Sequence, residues 1–123
     1  MKKNKISKNW INKQRRDIYV RRSKVEGYRS RAVYKLQEID QKFRIFKNGM
    51  SVIDLGAAPG SWSQYVLKNV KNGKIVSIDF KDFEKIGNIH QIKGDFTDDR
   101  YKKEIVDYFG VKVDVVLSDL AVN

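Results

Sequence analysis

Val52-Ile53-Asp54-Leu55-Gly56-Ala57-Ala58-Pro59-Gly60-Ser61-Trp62 decides how this chain folds. A short apolar run breaks at Gly56 and Gly60, and a helical pattern follows. That order reads as strand, tight turn, helix. Glycine lets backbone approach a ligand closely, and the amides that open a helix have no partner within it. In a parallel α/β sheet such a turn lies beyond the C-terminal end of a strand, where ligands bind.

The residues on either side continue the alternation. The helix is expected to start near Ser61, where Ser61 and Gln64 have capping-box spacing. Trp62, Tyr65, Val66 and Val70 supply its buried side. Lys68 and Lys71 suit the negative end of its dipole, and Gly73 its stop. Residues 74–79 read as a second strand ending in Asp79, and Ile89–Ile92 as a short third strand followed by Gly94-Asp95-Phe96. Residues 99–109 read as a helix with Tyr101, Ile105, Val106 and Phe109 inward, stopped by Gly110. Val113–Leu117 is the expected fourth strand, followed by Ser118-Asp119. Upstream, residues 30–43 form an amphipathic pattern. Ser30 stands at the N-cap position, and Ala32, Val33, Leu36, Ile39 and Phe43 make one apolar stripe with Lys35 at its border. Strands alternating with helices predict an α/β fold with a parallel, doubly wound sheet.

With 123 residues, 41% of them hydrophobic, the chain is long enough for one domain with a real core. It has no cysteine, which excludes a disulfide framework and thiolate chemistry and fits a reducing, cytoplasmic setting. No apolar stretch is long enough to span a bilayer, and no secretory signal follows the basic N-terminus, so no membrane partner is expected. No metal-ligand cluster is visible. The single histidine, His90, lies beside the third strand without a Ser or Asp arrangement and reads as structural or surface. The net charge of +11 is unevenly spread: residues 1–47 hold 16 Lys+Arg against 4 Asp+Glu, and residues 48–123 hold 10 against 11. A near-neutral domain behind a basic segment suggests a polyanion partner. Trp10, Tyr19 and Tyr28 among those charges suit nucleic acid, because aromatic rings stack on bases. Residues 1–26 are expected to form a basic, partly disordered arm that binds RNA, with helix around Trp10–Val25. Residues 27–123 would form the folded part.

Four features fall at strand ends: Gly56–Gly60, Asp79, Asp95 and Asp119. Their common location predicts one site. Asp79 follows Gly60 by 19 residues, close to the spacing at which an acid accepts hydrogen bonds from ribose hydroxyls. A nucleoside or a dinucleotide would satisfy this pattern. The turn lacks G-x-G-x-x-G and contains Pro59, which speaks against a pyrophosphate cradle and a nucleotide-dependent oxidoreductase.

Asp54 through Tyr65 resembles the first motif of the FtsJ/RrmJ family (RlmE-type). The resemblance continues in Ser30-Arg31-Ala32 through Lys35-Leu36, in Gly94-Asp95-Phe96 and in Ser118-Asp119-Leu120-Ala121, and covers about residues 25–123. It implies a Rossmann-like fold that uses S-adenosylmethionine to methylate the ribose 2′-hydroxyl of a uridine in large-subunit ribosomal RNA. Gly60 and Trp62 would then hold the cofactor's methionine end, Asp79 its ribose and Asp95 its adenine, with Asp119 beside the methyl group and Gly56 also among the cofactor-binding residues. Lys35 and Asp119 would match the first lysine and the aspartate of the family's K-D-K-E catalytic tetrad. The partner would be large-subunit ribosomal RNA, or the subunit itself, held through the basic arm.

The family continues beyond the position matched by Asn123, with strands that carry the second lysine and the glutamate. Val122 stands where the family has proline. These 123 residues are therefore expected to be the N-terminal, cofactor-binding half of the domain, without turnover on their own. The fourth strand would be an exposed apolar edge open to self-association. The alternative is an inactive, RNA-binding remnant of such an enzyme.

Overall fold

The structure is a computed structural model that describes residues 2–110 and 112–119, with side chains from Lys8 onward. Leu120 and Ala121 of the last motif, and Val122, lie outside the described residues. The elements are α1 (Lys2–Glu26), α2 (Val33–Phe43), β1 (Ser51–Leu55), α3 (Ser61–Asn69), β2 (Lys74–Asp79), β3 (His90–Lys93), α4 (Asp99–Phe109) and β4 (Val115–Ser118). The four strands form one parallel sheet in the order β3-β2-β1-β4.

Strand alternation sorts the core into two layers. Val52 and Ile75 face the layer that holds Val33, Leu36, Trp62 and Val66 of α2 and α3. Ile53, Val76 and Ile78 face the other layer with Ile105 and Phe109 of α4. Both faces of the sheet are thus covered, as a parallel sheet requires. Chain order reverses between β1 and β4: β2 and β3 lie on one side of β1, and β4 on the other. That reversal is the switch point, and it opens at the glycine turn.

Local chemistry explains where the elements depart from expectation. The first helix is a continuous Lys2–Glu26, longer than Trp10–Val25. α2 begins at Val33 with Ala32 at its cap and no side-chain capping bond, because the Ser30 hydroxyl is engaged with Ser61 Oγ at 2.8 Å. The capping-box reading of Ser61 and Gln64 is likewise replaced. Gly60 is the cap of α3, and the Gln64 amide reaches back to Arg29 N–H and Gly27 C=O. Phe43 leaves the apolar stripe and is exposed, because Arg44 turns left-handed (φ 51°) and ends the helix there. Tyr34, which the stripe omitted, is buried instead. Val106 on α4 is exposed, while Ile105 and Phe109 are buried. The third and fourth strands are offset from their expected bounds by one or two residues.

Asp40 joins α2 to α3 and to the chain that follows. Its Oδ1 accepts from Ile45 N–H and Phe46 N–H, and its Oδ2 from the Tyr65 hydroxyl at 2.6 Å. Burial of the phenol, and then that bond, raise the Tyr65 pKa. His90 opens β3, at the end of the strands opposite the glycine turn: its ring stacks on Tyr108 with centroids 4.6 Å apart, and its Nε2 lies 3.1 Å from Glu104.

Candidate functional site

The glycine turn is shaped by its neighbours. Gly56 (φ 68°) and Gly60 (φ 116°) adopt left-handed backbone, and the Ala58–Pro59 peptide is cis. A Cβ on Gly60 would meet Ile86 Cδ1 at 2.5 Å and Arg29 Nη1 at 3.1 Å, so backbone sign and space both demand glycine. The turn then delivers Ser61, Trp62 and Ser63 into the first turn of α3, which has no side-chain cap.

Beneath the turn is a buried polar chain. Asp54 is 2% exposed and accepts from Ser63 Oγ at 2.6 Å, and Ser63 Oγ lies 2.5 Å from Ser77 Oγ. Asp54 and Ser77 are register partners on β1 and β2, so one face of the sheet presents both to α3. Burial pushes the Asp54 carboxyl up to about 6. The Ser63 bond opposes that rise, and the nearby Asp119 and Asp79 add to it. Asp54 stands in the first motif, but nothing in the residues around it signals a role. Its partners come from separate elements, and no local spacing signals them.

Asp79 closes the other side of the turn. Its Oδ2 accepts from Ala58 N–H at 2.9 Å and its Oδ1 from Lys81 N–H at 2.8 Å. It is therefore a brace between the turn and the β2–β3 loop, with one lone pair left on each oxygen. Phe80, immediately after it, is 69% exposed at the strand end, an apolar surface that sequence reasoning passed over. Asp95 is exposed at the end of β3. Its Oδ1 accepts from the Thr97 amide and hydroxyl, which hold the carboxyl below its ordinary range and leave Oδ2 open. Gly94 before it has no room for a Cβ against the Tyr101 ring.

Lys35 and Asp119 come together from 84 residues apart, with Nζ 3.2 Å from Oδ1. α2 supplies the lysine, and the residue after β4 supplies the aspartate. Asp119 lines the same small cavity as Asp54, Gly56, Ala57 and Trp62. A larger cavity of about 550 Å³ lies across Ala58 and Pro59, lined also by Arg29, Lys81 and Phe83. Of the residues expected at the site, Gly56, Trp62 and Asp119 share the small cavity. Gly60 abuts Arg29, Asp79 braces the turn, and Asp95 stands at the next strand end.

The segment from Gly27 to Ala32 binds the turn from outside. Arg29 donates from Nη1 to Pro59 O (3.0 Å) and Glu84 O (2.6 Å), and from Nη2 to Lys85 O (2.9 Å). Trp62 Nε1 donates to Ala32 O at 2.8 Å. The aromatic residues of the basic segment are partly committed as well. Tyr19 stacks on Tyr34 with centroids 5.3 Å apart, and Tyr28 meets Tyr34 edge-on. No helix among the described residues is long and apolar enough to cross a membrane.

Comparison with known proteins places this geometry. The profile of the FtsJ-like methyltransferases matches residues 28–123. The ribosomal RNA large subunit methyltransferase E of Pelagibacter ubique is 68% identical over the whole chain, and that of Legionella pneumophila is 43% identical. The chain spans 61% of the length of each of these curated relatives. A crystal structure of a ribosomal RNA methyltransferase from Plasmodium falciparum superposes with a TM-score of 0.67 at 40% identity. The match covers 78% of this chain and 58% of that one.

Proposed function

The chain belongs to the FtsJ-like methyltransferase family, and from that membership we propose that it forms the cofactor-binding part of an enzyme that methylates ribosomal RNA on a uridine ribose 2′-hydroxyl, with S-adenosylmethionine as donor. The observation that carries the reading is the Lys35–Asp119 pair, 3.2 Å apart, whose Asp119 lines the cavity of the glycine turn.

The residues fit the cofactor. The unpaired amides at the start of α3 suit a carboxylate, and the free lone pairs of Asp79 suit ribose hydroxyls. Phe80 offers an apolar face to a purine, and the open Oδ2 of Asp95 an acceptor for its amino group. The cofactor supplies an electrophilic methyl group on a sulfonium. Lys35 and Asp119 orient and polarise the acceptor hydroxyl, so their contribution is mainly positioning. The basic N-terminal segment holds the phosphates of the RNA. A cytoplasmic location follows from that substrate.

Calorimetric titration with S-adenosylmethionine tests the reading, with Asp79→Asn and Asp95→Asn as variants. We expect saturable binding, weakened at least about tenfold by each change: at Asp95 through the loss of one charge-assisted bond, and at Asp79 also because an amide NH2 would face the Ala58 or Lys81 N–H. Salt-dependent RNA binding by a folded chain that takes up no cofactor would replace this reading with the RNA-binding remnant.

A further inference from the structure

Two cavities meet at Asp119. One is the small cavity of the glycine turn. The other, about 540 Å³, lies between α1 and α2 and is lined by Tyr19, Arg31, Tyr34, Lys35, Glu38 and Asp119. Ser30, Ala32 and Asp119 border both. The Lys35–Asp119 pair therefore stands in a wall that has the glycine turn on one side and a second, larger space on the other.

We infer that the larger cavity receives the acceptor nucleoside, with the Tyr19 ring as the platform for its base and Arg31 as the partner of its adjoining phosphate. This rests on the reading of Lys35 and Asp119 as the transfer centre. The size suits a small ligand, within the range of about 300–1,000 Å³ usual for such sites. Tyr19 is 41% exposed, and its ring is already stacked on Tyr34 at an interplanar angle of 27°. Tyr34 is itself buried, with the Arg22 guanidinium 4.4 Å from its centroid. The platform is thus ordered before a base arrives, and little rotamer entropy is lost on stacking. Arg31 is exposed, and among the described residues no carboxylate pairs with it. A guanidinium so placed matches two phosphate oxygens at once. Glu38 accepts hydrogen bonds only, which suits the N–H edge of a base and repels phosphate, so it orients the nucleotide with its phosphate toward Arg31. On this account α1 is a wall of the acceptor site as well as a source of positive charge.

A short oligouridylate carrying one 5-iodouridine, irradiated in complex with the protein, decides the matter. We expect a photocrosslink at Tyr19, mapped by mass spectrometry and retained in Tyr19→Phe. Tyr19→Leu keeps an apolar contact on Tyr34 but removes the aromatic face. It should weaken oligonucleotide binding about tenfold without changing the slope of affinity against salt. Arg31→Gln should reduce that slope by about one. Crosslinks confined to Trp10 or elsewhere, or binding by Tyr19→Leu as tight as the parent's, overturn the inference. A Tyr19→Leu variant that fails to melt cooperatively leaves the parent's crosslink position to decide. Repeating the irradiation with S-adenosylmethionine separates the two readings. Cofactor binding without a Tyr19 crosslink removes this inference alone. A Tyr19 crosslink without cofactor binding keeps the nucleotide subsite and removes methyl transfer.

Discussion

Asp54 links a buried position to a measurable property of the whole protein. Its carboxyl titrates near 6 in the fold against 3.8 for the ordinary group. The folded state therefore holds the proton more tightly than the unfolded chain. Stability from this group is fully present below about pH 4 and is lost as pH rises through about 6, by up to about 3 kcal/mol. Urea melts from pH 4 to pH 7 should show that decline, and Asp54→Asn, which can still accept from Ser63, should flatten it. Arg29 gives a second residue-scale expectation. Arg29→Ala removes the donor that ties together the carbonyls of Pro59, Glu84 and Lys85, all at exposed positions, and should cost about 0.5–1.5 kcal/mol. Faster amide hydrogen exchange around Lys85 and Ile86 would report where the loss falls. Neither role was legible in the sequence. Asp54, Ser63 and Ser77 converge only after β1, β2 and α3 have packed, and the acceptors of Arg29 are backbone atoms, which have no sequence signature. The acids at the strand ends were legible, because strand ends and side-chain chemistry are both local.

At the scale of elements, periodicity read well where burial decides and poorly where caps do. α4 was expected over 99–109 and is found over Asp99–Phe109, because Asp98 caps it from a local position and accepts from Arg100 N–H. α2 lost its expected cap because Ser30 has a better partner in Ser61, about thirty residues away in sequence. The apolar stripe of α2 named Leu36 correctly, and that residue is 1% exposed. Leu36→Ala should therefore cost about 2–5 kcal/mol in denaturant unfolding, since it opens a void under α3. Val106→Ala, on an exposed face that periodicity misassigned, should change stability by less than about 0.5 kcal/mol.

For the molecule as a whole, charge and sheet topology set the behaviour. The excess positive charge of residues 1–47 should make RNA affinity fall steeply with salt, and filter binding across a salt series measures the slope. β4 pairs only with β1 among the described residues, and its Val116 is 60% exposed. A polypeptide of these 123 residues should self-associate as concentration rises, an effect that sedimentation velocity detects. A monomer that melts in one sharp transition at high concentration would contradict this. The short segment from Gly27 to Ala32 touches both halves of the chemistry. It continues directly from α1, and it is bonded to Pro59, Ser61, Trp62 and Gln64 around the glycine turn. A ligand on α1 that tightened or loosened this strap would change the turn's affinity for its own ligand, and thermodynamic reciprocity would then require the return effect to be equal.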